Sequence, residues 1–393
     1  MRILSEGQIS GNLSVLNQAW DEAETFALVP DRGGVTREWI AERISTIPSK
    51  YQLNHFVLQS SGSTGVPKLI VGNRGRAEML AGLLHRIQNS EPVRQAILVL
   101  PLTYCYAFVN QWLWSRVFNR DLVQTRGFRS PDDLRTILDE ACDSMICLVG
   151  AQLPLFRKHL PDRSFKGIIR VHFAGGRFPQ DDLDFVRNLF PNASIFNNYG
   201  CAEAMPRLTI RRAEDSDNGA NIGKPIDGVA LKTSDEGMLL FKSPYRMVAQ
   251  IDSEGFKEVT DDAWIPTGDM GYEGENGYWY LQGRANEVYK RFGEKISLAQ
   301  LASSLKEVWH GEAAFYRQKD RSGEDGHVLV LSPGPSEEEV RTVLRMLRQS
   351  YARAYWPLRI ESVHSLPLLA NQKVDMLALA SMDDKNTHWD QRV

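Results

Sequence analysis

From residue 55 to residue 200 the chain alternates short apolar runs with stretches whose apolar residues recur at helical spacing. The runs are HFVL (55–58), AILVLPL (96–102), DLVQT (121–125), MICLVG (145–150), IIRVHFAG (168–175) and ASIFNNYG (193–200). Between the first two, Met79, Leu80, Leu83, Leu84 and Ile87 fall on one face of a helix, because positions three and four apart meet on a helical surface. Strands apolar on both faces, separated by helices, predict a parallel sheet covered by helices, the α/β class. Such sheets bind ligands at the carboxyl ends of their strands, where the Gly-containing turns of this chain fall.

From about residue 219 the pattern changes to short, Gly-rich and aromatic strands ending at NGYWYLQGR (276–284). A smaller segment follows, with a helical stretch near 298–309, a strand HVLVLS (327–332), a helix near 336–350 and a strand near 358–364. The pattern predicts a large domain over 1–282, with parallel sheets and a β-rich subdomain, and a small C-terminal α+β domain over 283–393. The boundary is expected at Gly283 to Glu287.

At 393 residues and 42% hydrophobic content the chain is long enough to bury a sizeable core. A formal net charge of -3 gives no bulk electrostatic reason to expect nucleic acid or anionic lipid as a partner. The opening MRILSEGQISGN has no apolar stretch behind its arginine, and no run approaches the roughly 20 apolar residues of a membrane span. Cys105, Cys142, Cys147 and Cys201 show no C-x-x-C spacing. A soluble, cytoplasmic, reduced protein without a cysteine-held metal is therefore expected.

The stretch QSSGSTGVPK (59–68) directly follows the first apolar run. It is not a G-x-x-x-x-G-K-[ST] loop, since Lys68 follows Pro67 with no hydroxyl after it. Its composition nevertheless suits an anion. Gly62 and Gly65 let backbone N–H groups converge, Ser61, Ser63 and Thr64 add hydroxyl donors, and Lys68 adds charge. Standing alone, the same stretch reads equally as a solvated turn.

It does not stand alone. SSGSTGVPK (60–68) is similar to the phosphate loop of the adenylate-forming superfamily, which includes AMP-dependent acyl-CoA synthetases, nonribosomal peptide adenylation domains and beetle luciferases. NNYGCAEA (197–204) resembles the family's N-x-Y-G-x-T-E segment, and IPTGDMG (265–271) resembles its T-G-D segment. GRANEVYKRFGEKIS (283–297) resembles the hinge segment, and LPLLANQKVDMLAL (366–379) the terminal N-G-K-V-D segment. The five segments occur in the family's order.

The resemblance implies a role for each matched residue. Ser61, Gly62, Ser63, Thr64, Gly65 and Lys68 would cradle the ATP phosphates, with Glu203 and Thr64 holding Mg2+, a hard cation that prefers oxygen. Tyr199 would stack on adenine beside Gly175 and Gly176, Asp269 would accept the ribose hydroxyls, and Arg284 would touch ribose or phosphate and mark the hinge. Lys373 would reach the substrate carboxylate and the α-phosphate, and Glu203 would act with it. Lys290 belongs to the face of the small, mobile domain used in a second half-reaction. The implied activity is ATP-dependent ligation of a carboxylic acid, through an acyl-adenylate, to the thiol of coenzyme A.

Three positions depart from the family pattern. Ala202 stands for the usual threonine, Asn286 for a hinge acid or lysine, and Gln372 for glycine. Only about 58 residues precede the phosphate loop, fewer than is usual in the family, and the first 50 match nothing identifiable. For the acid, PLTYCYAFVNQWLWSR (101–116) offers Tyr104, Tyr106 and Phe108 as neutral pocket residues, with no aspartate to anchor an α-ammonium. An aromatic or medium-chain apolar acid is expected. Two alternatives share these motifs: an enzyme that loads a carrier-protein phosphopantetheine or an amine, and a non-catalytic nucleotide-binding descendant.

Overall fold

The computed structural model describes residues 1–31, 36–60, 68–368 and 374–391, with the backbone alone at Asn286 and Lys295. Strands β1 (Arg2–Ser5), β2 (Phe26–Val29), β3 (His55–Ser60) and β4 (Lys68–Asn73) come first. The apolar runs continue as β5 (Gln95–Leu98), β6 (Asp121–Gln124), β7 (Ser144–Leu148), β8 (Ile168–Phe173) and β9 (Ser194–Tyr199). Next are β10 (Thr209–Arg212), β11 (Asn221–Pro225), β12 (Ala230–Thr233), β13 (Met238–Lys242), β14 (Ala249–Asp252) and β15 (Gly255–Glu258). Then come β16 (Ile265–Glu273), β17 (Trp279–Arg284), β18 (Val288–Arg291) and β19 (Glu294–Ser297). The last four are β20 (Glu312–Lys319), β21 (Asp325–Ser332), β22 (Arg359–Ser362) and β23 (Asn386–Asp390).

All six apolar runs form strands, and β6, β5, β7, β8 and β9 lie side by side and parallel, as both-face burial requires. Antiparallel β10, β11, β17, β16, β13 and β12 extend this sheet to eleven strands. The HFVL run does not join it. It lies in a six-stranded sheet ordered β1-β2-β3-β4-β14-β15, where β3 pairs antiparallel with β4 from His55 opposite Asn73 to Ser60 opposite Lys68. The Ser/Gly stretch therefore connects two adjacent antiparallel strands, a geometry that a short connection permits and a parallel pair forbids.

Residues 1–31, which carry no recognisable motif, form the edge of this second sheet, with β1 parallel to β2 and β2 parallel to β3. The helix Ser14–Asp21 packs beside them, and the buried Arg74 guanidinium closes its end by donating to the backbone carbonyls of Trp20 (2.7 Å), Glu22 and Glu24. Helix ends leave carbonyls without intrahelical partners, and a guanidinium fork can satisfy several at once. The helix Arg74–Ile87 buries Leu80, Leu83 and Leu84 as its spacing predicts, but Met79 sits about a quarter turn off the centre of that face and is 50% exposed.

Beyond residue 287, β18 and β19 make a hairpin, and β20 to β23 form a four-stranded sheet packed on the helices Leu298–Leu305 and Glu337–Ser350. Among the described residues no helix is long and apolar enough to cross a membrane.

Candidate active site

Three strand ends bring the recognisable motifs together. Strand β9 ends on Tyr199, and a single 3₁₀ turn, Ala202–Ala204, carries Glu203. The intervening Gly200 is required by close approach, because a Cβ there would lie 1.8 Å from the carbonyl oxygen of Pro206. Gly200→Ala is expected to destabilise the fold by about 2 kcal/mol through this overpacking, seen as a lowered Tm in thermal unfolding; an unchanged Tm would contradict the close approach.

The T-G-D segment lies inside β16, where Asp269 is buried. Its carboxylate receives the Tyr199 hydroxyl (Oη to Oδ2, 2.8 Å) and the Arg284 guanidinium (Nε to Oδ1, 3.0 Å). Arg284 reaches it because β16 and β17 pair antiparallel with Asp269 opposite Arg284. Burial, and then the Asp269 carboxylate, push the Tyr199 phenol well above its ordinary pKa, so it remains a proton donor. Cys201 lies between the two acidic residues. Burial, followed by the Glu203 and Asp269 carboxylates, raises its thiol well above the usual range, so it supplies no thiolate to compete with an incoming nucleophile.

Lys68, the first residue of β4, and Glu203 line one cavity of about 300 Å³, together with Gln250, Lys257, Thr260 and Trp264. Lysine and carboxylate facing one space suit a polyphosphate and its cation. Among the described residues no cluster of three or more His, Cys, Asp or Glu could hold a metal. A larger opening of about 700 Å³, on the C-terminal sheet near Arg353, Trp356 and His388, contains none of the motif residues.

Gly175 adopts a left-handed conformation (φ +78°), and a Cβ on Gly176 would meet no atom within 4 Å, so this turn is open to a flat ligand. The following Arg177 donates to Ser303 Oγ (3.2 Å), tying the turn to the helix Leu298–Leu305. Lys290 is exposed on the β18–β19 hairpin, away from the Asp269 cluster's hydrogen bonds. Ser61, Gly62, Ser63, Thr64, Gly65 and Lys373 lie outside the described residues.

The expected acid pocket is only partly realised. Tyr104 and Tyr106 are half-buried, but Phe108 is 0% exposed and packs on Trp20, Phe56 and Trp112, so its ring belongs to the core. Trp112 and Trp114 are likewise core residues. An aromatic run carries no signal separating core from pocket, and the π-helical turn at Phe108–Leu113 rotates this segment relative to a regular helix. The sequence reading also missed Arg207, a buried cation beside Tyr106 and Asn110. Its only sequence signal is an arginine in the otherwise apolar stretch AMPRLT.

Comparison with known proteins agrees with this architecture. Residues 22–242 match the family model described as AMP-binding enzyme. The 2-succinylbenzoate–CoA ligase of Oceanobacillus iheyensis is 24% identical over 335 residues, 81% of this chain and 68% of that protein. The D-alanine–D-alanyl carrier protein ligase of Staphylococcus aureus is 24% identical over 237 residues, 57% of this chain and 49% of that protein. In fold, the chain is similar to the O-succinylbenzoate coenzyme A synthetase of Bacillus subtilis in complex with AMP. The TM-score is 0.70 at 19% identity, covering 98% of this chain and 83% of that one.

Proposed function

Since the chain belongs to the AMP-binding enzyme family, we propose that it activates a carboxylic acid with ATP and transfers the acyl group to a thiol. In the first step a carboxylate oxygen bonds to the α-phosphorus and the bond to pyrophosphate breaks, giving an acyl-adenylate. In the second, a thiolate bonds to the acyl carbon and AMP leaves, giving a thioester. The observation that carries this reading is the placement of Lys68 and Glu203 on one cavity, with Glu203 four residues from Tyr199, which joins the buried Asp269 and the partly exposed Arg284.

The residues divide the work by chemistry. Asp269 and Arg284 hold the ribose end, Tyr199 and the open Gly175–Gly176 turn border the base, and Lys68 with the 61–65 stretch neutralises phosphate charge. Mg2+ bound with the nucleotide at Glu203, and at Thr64, would add charge neutralisation. Lys373 supplies the cation that follows charge onto the α-phosphate as the carboxylate attacks, and Lys290 serves the thiol step from the other face of the small domain. In this reading 1–282 is a large domain and 283–393 a small one, with the hinge expected at Gly283 to Glu287, and the end of β17 at Arg284 supports it. The four cysteines are free thiols, which supports a reducing, cytoplasmic setting.

The similarity to a CoA ligase supports coenzyme A as acceptor and an aromatic acid as substrate; the similarity to a carrier protein ligase supports a phosphopantetheine arm as the second reading. Incubation with ATP, Mg2+ and a panel of aryl and aliphatic acids, with either CoA or a phosphopantetheinylated carrier protein, separates them by mass spectrometry. Acyl-CoA and AMP are expected. Acylation of the carrier alone would move the acceptor, and no AMP with any acid would overturn the function.

A further inference from the structure

Five arginines are buried among the described residues: Arg74, Arg207, Arg211, Arg246 and Arg291. Four are neutralised or saturated by conventional partners. Arg74 and Arg211 each donate to at least three backbone carbonyls. Arg246 pairs with Asp261 at 3.1 Å and Arg291 with Asp320 at 3.5 Å. Arg207, 1% exposed, has neither. Its Nη2 donates to Asn110 Oδ1 (2.7 Å) and its Nη1 to Asn198 Oδ1. A buried guanidinium without a counter-charge is costly enough that burial pushes its pKa down to about 10.

The surroundings are also incompletely bonded. Strand register puts Cys147 opposite His172 and His172 opposite Phe196, with Asn198 two residues on and hence on the same face. His172 stacks on Phe196 (5.1 Å between centroids), is 2% exposed, and neither ring nitrogen has a hydrogen-bond partner. The Asn198 amide nitrogen is also buried without a partner. Burial, then the charges of Arg207 and Arg170, push the His172 imidazole down to about 3, so it is neutral and offers one N–H at pH 7. Buried polar groups are almost always satisfied, so two orphan donors, the one N–H of the His172 ring and the Asn198 amide, beside one uncompensated cation indicate a missing anionic acceptor.

The location fits a substrate group. Cys147, His172 and Asn198 lie near the carboxyl ends of parallel β7, β8 and β9, where α/β sheets bind ligands. The half-buried Tyr106 roofs the cluster, its hydroxyl donating to the His172 carbonyl (3.0 Å) and its own carbonyl receiving the Asn110 amide (2.8 Å). We propose that Arg207, held by Asn110 and Asn198, binds a second carboxylate at the far end of the acid substrate, so that the enzyme activates one end of a dicarboxylic acid. The inference rests on the carboxylate activation proposed above and adds a second carboxylate to the aromatic or medium-chain acid expected from the sequence. A guanidinium fork matches a carboxylate bidentately, and the unused His172 and Asn198 donors complete its shell.

Calorimetric titration of the intact protein with matched pairs tests this without requiring turnover. The probes are suberate against monomethyl suberate, and homophthalate and 1,4-phenylenediacetate against their monomethyl esters. In at least one pair the free diacid is expected to bind about 10- to 100-fold tighter than its ester, the range for a charged hydrogen-bonded pair. Arg207→Met should abolish that preference while ester binding persists, and Arg207→Lys, which keeps the charge but not the fork, should retain part of it. Equal or tighter binding of the ester in every pair, no binding by any pair, or a preference that survives Arg207→Met would overturn the proposal. AMP release with monoacids but no diacid preference would leave acid activation standing and remove only this inference.

Discussion

Asp269→Ala is expected to lower acid-dependent consumption of ATP by about 1000-fold in kcat/KM for ATP, because the substitution removes a buried carboxylate that organises two other groups. In the intact protein Asp269 fixes the Tyr199 hydroxyl at 2.8 Å and the Arg284 guanidinium at 3.0 Å. Without it, a phenol and a cation lose their common acceptor and ribose loses its partner. Asp269→Asn keeps the shape and one acceptor oxygen, so its loss is expected to be roughly 10- to 100-fold. Thermal unfolding of both variants separates lost recognition from lost fold. A folded Asp269→Ala protein with undiminished kcat/KM would place the nucleotide elsewhere.

If Lys373 serves the first half-reaction as proposed, Lys373→Ala is expected to reduce that step by roughly 100- to 1000-fold while leaving the second intact. As the carboxylate attacks, negative charge moves onto the α-phosphate and pyrophosphate, and a directed cation stabilises that state more than the ground state. Thiolate attack on a finished acyl-adenylate builds charge on the acyl oxygen, a step for which the proposed assignment gives this lysine no role. Supplying a synthetic acyl-adenylate and CoA should therefore give normal thioester formation in Lys373→Ala. Lys290→Ala, on the β18–β19 hairpin, should show the reverse pattern. Equal loss of both steps in either variant would contradict the division of labour.

The parallel sheet was legible because burial on both faces of β5, β7, β8 and β9 leaves an apolar signature that needs no context, in the runs at 96–102, 145–150, 168–175 and 193–200, while the edge strand β6 at 121–125 is the least buried of the five. The partner of β3 was not, since an apolar run says nothing about which neighbour its hydrogen bonds choose. The four-residue strands β1 and β2 lack the length to stand out, and their stability comes from pairing in register, β1 with β2 and β2 with β3. The site separates in the same way. Lys68, Glu203, Tyr199, Asp269 and Arg284 stand in recognisable local order, and the structure brings Lys68 and Glu203 to one cavity and joins Tyr199, Asp269 and Arg284 by hydrogen bonds. Phe108 was misread because a ring facing the core and a ring facing a substrate have identical neighbours in sequence. Arg207 escaped notice for a related reason: its meaning lies in the absence of a carboxylate across three strands, which no linear pattern records.

The most direct measurement is exchange of labelled pyrophosphate into ATP, with Mg2+ and no thiol, over a panel of aryl, aliphatic and amino acids. Exchange reports reversal of adenylate formation and depends on no later step. Exchange supported by one class of carboxylic acid, and lost in Lys373→Ala, is the predicted result. Folded protein that binds ATP yet supports no exchange with any acid would contradict carboxylate adenylation itself.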